Sequence, residues 1–132
     1  MPKRLINPST LYDGAALGLS QGVVDEGSGL LFISGQVDWN EQHEVLHDSV
    51  AGQFESALRK VTEVLSDAGA GVDDILQLRI YVRGELEDHM TALSPLLSGF
   101  LGTSRAAVTG IGVSSLASKA TLVEVEAVAR IR

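Results

Sequence analysis

The sequence of 132 residues contains no cysteine, which excludes disulfide bonds, a thiolate nucleophile and cysteine ligands for a metal. Phe, Trp and Tyr together make up only 5% of the residues, so any core must be packed mainly from aliphatic side chains. Basic residues are also scarce, with ten Lys and Arg against seventeen Asp and Glu and a formal net charge of -7. Because phosphate binding requires clustered positive charge, this balance argues against a nucleic-acid partner.

Long apolar runs are absent as well. No stretch approaches the roughly 18 uninterrupted apolar residues of a membrane helix, and no apolar core follows the N-terminal residues as it would in a secretory signal. We therefore expect no membrane partner and a cytoplasmic location. The hydrophobic content of 45% is enough for one folded domain, which we expect to extend over residues 1–132.

A strand pattern at residues 121–129 carries two carboxylates. Because successive side chains of a strand point to opposite faces, Glu124 and Glu126 share one face, and the other face carries Val123, Val125, Ala127 and Ala129. A buried, unpaired carboxylate is costly, so these groups must meet water, a cation or a ligand. Two alternatives stay open: an ion pair with Arg79 or Arg83, which is the more common use of such groups, or a general acid or base.

Apolar periodicity predicts the other elements. The predicted strands are 17–24 and 30–34, joined by a turn at 25–29, then 76–83 and 105–113. One helix is predicted from residue 48 or 49 to residue 68, and a second over 85–101, where Pro95 should kink or restart it with Ser94 as a cap. The order ββαβαββ predicts an α+β fold in which one mixed sheet carries two helices on one face.

The second face of that sheet would combine apolar side chains and glycines with charges. Neither solvent nor an ordinary core suits such a surface. We therefore expect a closed homo-oligomer that hides the apolar part and pairs Arg79 or Arg83 with Glu124 or Glu126.

Other motifs give little support for metal, hydrolase or nucleotide chemistry. His43 and His47 have the spacing of a helical metal pair, but they precede the predicted helix and lack a third ligand, so a solvated loop is favoured and no metal is expected. No serine lies in a nucleophile elbow. Gly110 and Gly112 lack the third glycine of a dinucleotide site, and they favour close packing or open space.

Several short motifs occur in a characteristic order. They are Ser20-Gln-Gly-Val23, Phe32-Ile-Ser-Gly-Gln36, Gln53, Leu65-Ser-Asp-Ala-Gly-Ala70, Asp74-Ile75 and Val123-Glu-Val-Glu-Ala-Val-Ala129. From about residue 17 to the C-terminus the chain resembles the reactive-intermediate deaminase family, called Rid, RidA or YjgF-like and also L-PSP endoribonuclease-like. The resemblance implies a chorismate-mutase-like fold and a homotrimer with a central β-barrel and ligand clefts between subunits. It also implies hydrolysis of enamines and imines to oxo compounds and ammonia, without a cofactor.

The resemblance further implies the roles of individual residues. Glu124 corresponds to the catalytic glutamate that positions the attacking water. Ser34, Gly35 and Gln36 correspond to the Ser-Gly-Gln stretch that lines the substrate cleft.

Three polar positions of the family pattern are aliphatic in this chain. Val108 stands where an arginine clamps the substrate carboxylate, Leu19 where a tyrosine closes over the cleft, and Leu93 where an asparagine is common. Gly110 is expected beside Val108 in the cleft. Arg105 is the candidate substitute cation, although its odd spacing from Val108 points it to the opposite face of a regular strand.

These residues lead to two main hypotheses. The first is an enamine or imine hydrolase whose substrate is bulkier or less acidic than 2-aminoacrylate. The second is a non-catalytic homotrimer that binds a small metabolite in the same cleft. A ribonuclease is the weakest alternative because the chain is acidic and lacks catalytic histidines.

Overall fold

The computed structural model describes residues 2–131, which form a six-stranded mixed sheet and two α-helices. The sheet order is β1-β2-β3-β6-β4-β5, in which β4 and β5 are parallel and the other neighbours are antiparallel. The predicted α+β fold is confirmed, with one additional strand at the N-terminus. The strands are β1 (Lys3–Ile6), β2 (Gly22–Asp25), β3 (Leu30–Gln36), β4 (Ile75–Arg83), β5 (Ala107–Val113) and β6 (Val123–Arg130), and the helices are α1 (Val50–Asp67) and α2 (Met90–Leu101).

The core lies between the helices and one face of the sheet. The predicted alternation holds in β6, where Val123 and Val125 are fully buried while Glu124 and Glu126 are only half-buried on the opposite face. Helix α1 presents a continuous apolar side to the sheet, because its hydrophobic residues recur at helical spacing. The fully buried residues of that side are Phe54, Ala57, Val61, Val64 and Leu65.

Helix α1 begins where the sequence predicts. Ser49 is its N-cap, and the Ser49 Oγ accepts a hydrogen bond from the Gly52 N–H at 3.0 Å. This bond satisfies one of the backbone donors that the first turn of a helix leaves unpaired.

Removal of this cap should destabilise the protein measurably. We expect Ser49→Ala to lower the free energy of unfolding by about 1 kcal/mol. The measurement is the midpoint of urea denaturation, with Ser66→Ala as the control because Ser66 is an exposed residue of the same helix. Equal midpoints for the two variants would contradict the assigned cap.

The N-terminal region departs from the prediction. A strand over 17–24 was expected, but residues Ala15–Leu17 form a single 3-10 turn and β2 begins only at Gly22. The turn ends at Gly18, whose φ of 76° is left-handed and interrupts any extended strand there. Strand β1 was not predicted, and it pairs antiparallel with β2.

Pro95 does not restart the second helix. A 3-10 turn at Leu86–His89 precedes α2, which then runs through Pro95 without interruption, so Ser94 is not a cap. Pro95 lies in the middle of α2, and its missing N–H removes one hydrogen bond of the helix. No helix within residues 2–131 has both the length and the apolar character needed to cross a membrane.

Candidate functional site

A cleft of about 340 Å³ opens on the sheet face opposite the helices. Glu124 of β6 contributes its carboxylate to the wall, and among the described residues 2–131 none that lines the cleft is Lys, Arg or His. The residues that line the cleft include Tyr12, Leu19, Ser34, Gly35, Trp39 and Glu124.

Gly35 makes room for the Glu124 carboxylate. A Cβ atom added at Gly35 would lie 2.6 Å from the Cδ of Glu124, closer than real Cβ contacts come. The β3–β6 pairing shifts register between Ile33 and Gln36, so Gly35 sits at an irregularity of the strand. Ser34 lines the same wall, but its hydroxyl already donates to the Ser20 carbonyl at 2.6 Å.

The two acidic residues of β6 have different surroundings. Glu126 accepts a hydrogen bond from the Tyr81 hydroxyl and lies 3.7 Å from an Arg79 nitrogen, so the ion-pair alternative applies to Glu126. Glu124 has no basic partner anywhere in residues 2–131. Burial raises the pKa of Glu124, and the nearby negative charge of Glu126 raises it further.

Arg83 does not pair with either glutamate, contrary to one of the predicted alternatives. Its guanidinium donates instead to the backbone carbonyls of Thr121, Ser114 and Ser118, at 3.1, 3.4 and 2.7 Å. These bonds hold the loop before β6. Arg83 is therefore a structural residue at the base of the strand that carries Glu124.

Tyr12 is a cleft residue that the sequence did not reveal. It is 8% exposed, and its ring centroid lies 5.3 Å from that of Trp39. The Gln21 side-chain amide donates to the Tyr12 carbonyl at 2.9 Å and so fixes the backbone there. Burial raises the pKa of Tyr12, with a smaller rise from the charge of Glu124 and an opposing effect of Gln21.

Gln36 supports the cleft from behind instead of lining it. The side chain is almost completely buried, at 1% exposure. Its amide donates to the Gln21 Oε1 at 2.9 Å and to the Ser34 carbonyl at 3.0 Å. The pair of glutamines thus links the Tyr12 segment to the Ser34 wall.

The remaining aliphatic positions lie on the other side of the sheet. Val108 is paired with Leu78, a fully buried residue of the helix-facing side, whereas Glu124 is paired with Tyr81 on the open side. Leu93, Val108 and Gly110 line a separate pocket of about 240 Å³ beneath α2. One chain therefore holds the predicted site residues in two groups, one on each face of the sheet.

Arg105 was predicted to open the strand over 105–113, but the observed strand β5 begins only at Ala107. Arg105 is exposed, it precedes β5, and it has a left-handed backbone with φ 49°. The alternation of a regular strand therefore does not set its direction.

The two histidines of the loop before α1 have separate partners. The His47 Nδ1 lies 3.0 Å from the Asp38 Oδ2, whereas the His43 ring packs edge-on against Tyr12 at 5.0 Å and near Trp39 at 5.2 Å. Across residues 2–131, no three His, Asp or Glu side chains are grouped as metal ligands would be.

Comparison with known proteins places this fold among relatives. The pattern of the endoribonuclease L-PSP family matches residues 14–131. The Lactococcus lactis protein AldR, named as a candidate regulator, is 28% identical over 126 residues, covering 94% of this chain and 96% of AldR. A Yersinia pestis protein of the conserved Rid family, YyfB, whose function is unknown, is 34% identical, with a TM-score of 0.74 and coverage of 99% of this chain and 100% of YyfB.

A Mycobacterium tuberculosis member of the YjgF/YER057c/UK114 family gives a TM-score of 0.83 at 25% identity, covering 98% of this chain and 100% of the relative. The family pattern thus extends over most of the chain, and each of the three relatives covers at least 94% of it. The chain belongs to the endoribonuclease L-PSP family, the family also called Rid or YjgF-like.

Proposed function

We propose that this protein hydrolyses enamines or imines to oxo compounds and ammonia, with Glu124 orienting the attacking water. The observation that carries the proposal is the Glu124 carboxylate itself. It is half-buried in a cleft, it lies over a glycine, and it has no basic partner in residues 2–131. A carboxylate whose pKa is raised by burial is suited to accept a proton near neutral pH. Membership of the Rid family supports the same reaction.

The chemistry needs only one proton-transferring group. Protonation of an enamine on carbon gives the iminium ion, which is the conjugate acid of the imine. Water then attacks the iminium carbon: a C–O bond forms, the C=N π electrons move to nitrogen, and the Glu124 carboxylate takes a proton from the water to give a neutral carbinolamine. Glu124 returns this proton to the nitrogen, the C–N bond breaks, and the hydroxyl proton passes to the departing ammonia, so the products are the oxo compound and an ammonium ion.

We further propose a homotrimer in which neighbouring subunits complete the cleft. The open sheet face exposes large apolar side chains, with Leu5 56% and Phe32 48% accessible, and these share a row with Val23 and Val128. Exposed apolar area of this kind favours association. In the trimer, the pocket at Val108 of one subunit would lie beside Glu124 of the next. Analytical ultracentrifugation that finds only a monomer would contradict this arrangement.

The substrate range should differ from that of acid-binding relatives. Val108 and Leu93 present aliphatic surface where a substrate carboxylate would need an arginine. The direct test is hydrolysis of imines generated in situ from small, branched and aromatic amino acids and from amines without a carboxylate. We expect the bulkier or less acidic imines to be the better substrates, and no acceleration of any of them would contradict the proposed function.

An arginine introduced at position 108 should raise activity on small 2-imino acids. We expect Val108→Arg to raise hydrolysis of the 2-imino acid derived from 2-aminoacrylate by about 10- to 100-fold, because a bidentate contact with a carboxylate is gained. Val108 is 38% exposed, so the longer side chain has an outlet. Ammonia release measures the effect.

Two matched control variants separate the effect of positive charge from the effect of side-chain length. Val108→Met adds length without charge and should give no gain, whereas Val108→Lys adds charge without the fork geometry and should give a smaller one. Equal rates for the Arg and Met variants would contradict a shared cleft.

Valine instead of arginine at position 108 also favours a second function. A trimer that binds a small metabolite without turnover would keep the cleft and need no arginine at position 108. Saturable ligand binding without hydrolysis of any imine in the panel would favour this alternative.

A further inference from the structure

Two aromatic side chains stand in the same cleft as Glu124. Tyr12 and Trp39 both line it, their ring centroids are 5.3 Å apart, and the planes are tilted by 55°. His43 packs against both rings from outside. The Trp39 Nε1 donates to the Thr121 Oγ1 at 3.2 Å, which fixes the indole. The wall beside Glu124 is therefore aromatic and held in place.

The charge in this cleft is of one sign. Glu124 contributes a carboxylate, none of the lining residues within 2–131 is basic, and the two arginines of β4 already have partners. Arg79 lies beside Glu126, and Arg83 donates to three backbone carbonyls. Aromatic faces carry partial negative charge and attract cations, most strongly where water is excluded. The electrostatics of the cleft thus favour a positive group and oppose a carboxylate.

From this arrangement we infer that the cleft recognises organic cations, namely a primary ammonium or iminium group on an apolar skeleton without a carboxylate. Glu124 would pair with the positive nitrogen, and Tyr12 and Trp39 would contact it or the adjoining carbons. This inference names the substrate class of the proposed hydrolysis and rests on that function for turnover, but not for binding.

The reaction of such a cation balances without any further reactant. Water attacks the carbon of R–CH=NH₂⁺, a C–O bond forms, the C=N π electrons move to nitrogen, and the Glu124 carboxylate takes one water proton. The proton passes from Glu124 to the nitrogen of the carbinolamine, the C–N bond breaks, and the hydroxyl proton passes to the departing ammonia. The products are the aldehyde R–CHO and an ammonium ion, so charge is conserved. The supplying reaction would be a two-electron oxidation of a primary amine.

Binding can be measured with three ligands that share one carbon skeleton. They are 3-methylbutylammonium, the neutral 3-methylbutan-1-ol and the anion 3-methylbutanoate. Trp39 is the only tryptophan of the chain, so its fluorescence reports directly from the cleft wall. We expect the ammonium ion to bind at least about tenfold more tightly than the alcohol, and the carboxylate to bind most weakly.

Variants of Glu124 and Tyr12 test which side chains cause the preference for the ammonium ion. Glu124→Gln should abolish the advantage of the cation over the alcohol while leaving alcohol binding unchanged, because the amide keeps the shape and loses the charge. Tyr12→Phe keeps the ring and should keep the preference, whereas Tyr12→Leu should weaken cation binding by several-fold. Calorimetry of the intact protein gives the affinities, and the Phe variant remains informative where the Leu variant fails to fold.

Several results would overturn the inference. These are carboxylate binding as tight as ammonium binding, equal affinity for all three ligands, or no binding of the cation at millimolar concentration. Carboxylate binding that disappears in Arg105→Ala would also overturn the inference, and it would show that Arg105 supplies the contact with the carboxylate. Cation binding without imine hydrolysis would remove only the proposed function, and hydrolysis of 2-imino acids without cation binding would remove only this inference.

Discussion

Replacement of Glu124 by glutamine is expected to lower kcat for imine hydrolysis by about 100- to 10,000-fold, the range of a positioned general base. The amide keeps the size of the side chain but cannot accept a proton from water. Affinity for an uncharged ligand should change little, since the shape of the cleft is preserved. Steady-state ammonia release and equilibrium binding of the alcohol ligand measure the two quantities.

Glu126→Gln is the matched control for this substitution. Glu126 lies on the same face of the same strand, but it pairs with Arg79 and Tyr81 instead of lining the cleft. We expect its activity to stay within about tenfold of the wild-type value, on the scale of one ordinary hydrogen bond, because Glu126 does not line the cleft. Equal activities of the Glu124 and Glu126 variants would contradict the assignment of Glu124 as the base.

The pH dependence follows from the surroundings of Glu124. Burial and the neighbouring Glu126 raise the pKa of Glu124, and the base works only when it is deprotonated. Activity should therefore fall as the pH drops through a value above that of an ordinary glutamate. This acid limb of kcat/KM should be absent from the residual activity of Glu124→Gln.

The Glu124→Gln variant should also be more stable than the wild type. A raised carboxyl pKa means that the folded state binds a proton more readily than the unfolded chain, so the charged Glu124 costs folding free energy at neutral pH. Glutamine removes that cost. The gain in melting temperature should be complete above the raised pKa, shrink as the pH falls through it, and vanish below the ordinary glutamate pKa.

Local periodicity explains why much of the fold was predictable. Alternation along β6 separated Glu124 and Glu126 from the buried Val123 and Val125, because the two-residue period of a strand depends only on the strand itself. Helix α1 was equally well defined by its apolar spacing and by Ser49 at its start. The same reasoning could not separate the roles of the two glutamates. That difference depends on which side chains the neighbouring strand brings beside them.

The cleft wall was harder to predict because its members come from irregular segments. Tyr12 lies in a loop, and Trp39 follows β3, so neither belongs to a periodic pattern. Their meeting depends on Gln21, which is itself held by Gln36, and on tertiary contacts that sequence spacing does not encode. The parallel pairing of β4 with β5 was likewise not visible in the sequence.

The parallel pairing of β4 with β5 has a direct consequence for the site. It shows that Val108 and Glu124 of one chain lie on opposite faces of the sheet. A functional cleft that includes both must therefore draw on two subunits. This is the physical reason to link the proposed catalysis to the proposed trimer, and dilution below the dissociation constant of such a trimer should reduce activity together with the association state.

Gly35→Ala tests the placement of the carboxylate without touching the carboxylate itself. The added Cβ would lie 2.6 Å from the Glu124 Cδ, and Gly35 does not have a left-handed backbone, so the strain falls on the flexible glutamate side chain. The strand should accept alanine, and the carboxylate should move. Since a displacement of about 1 Å can cost on the order of 100-fold in rate, we expect kcat to fall by about that factor with a small change in melting temperature.

Gly99→Ala is the control, because nothing lies within 4 Å of a Cβ added at that exposed position of α2. It should leave kcat unchanged. The double variant Gly35→Ala with Glu124→Gln gives the sharper test, because two changes that act on one group are not additive. If Gly35 matters only through Glu124, alanine at position 35 should cost little once the base is gone. A further loss of about 100-fold in the double variant would show that Gly35 acts on the cleft by another route.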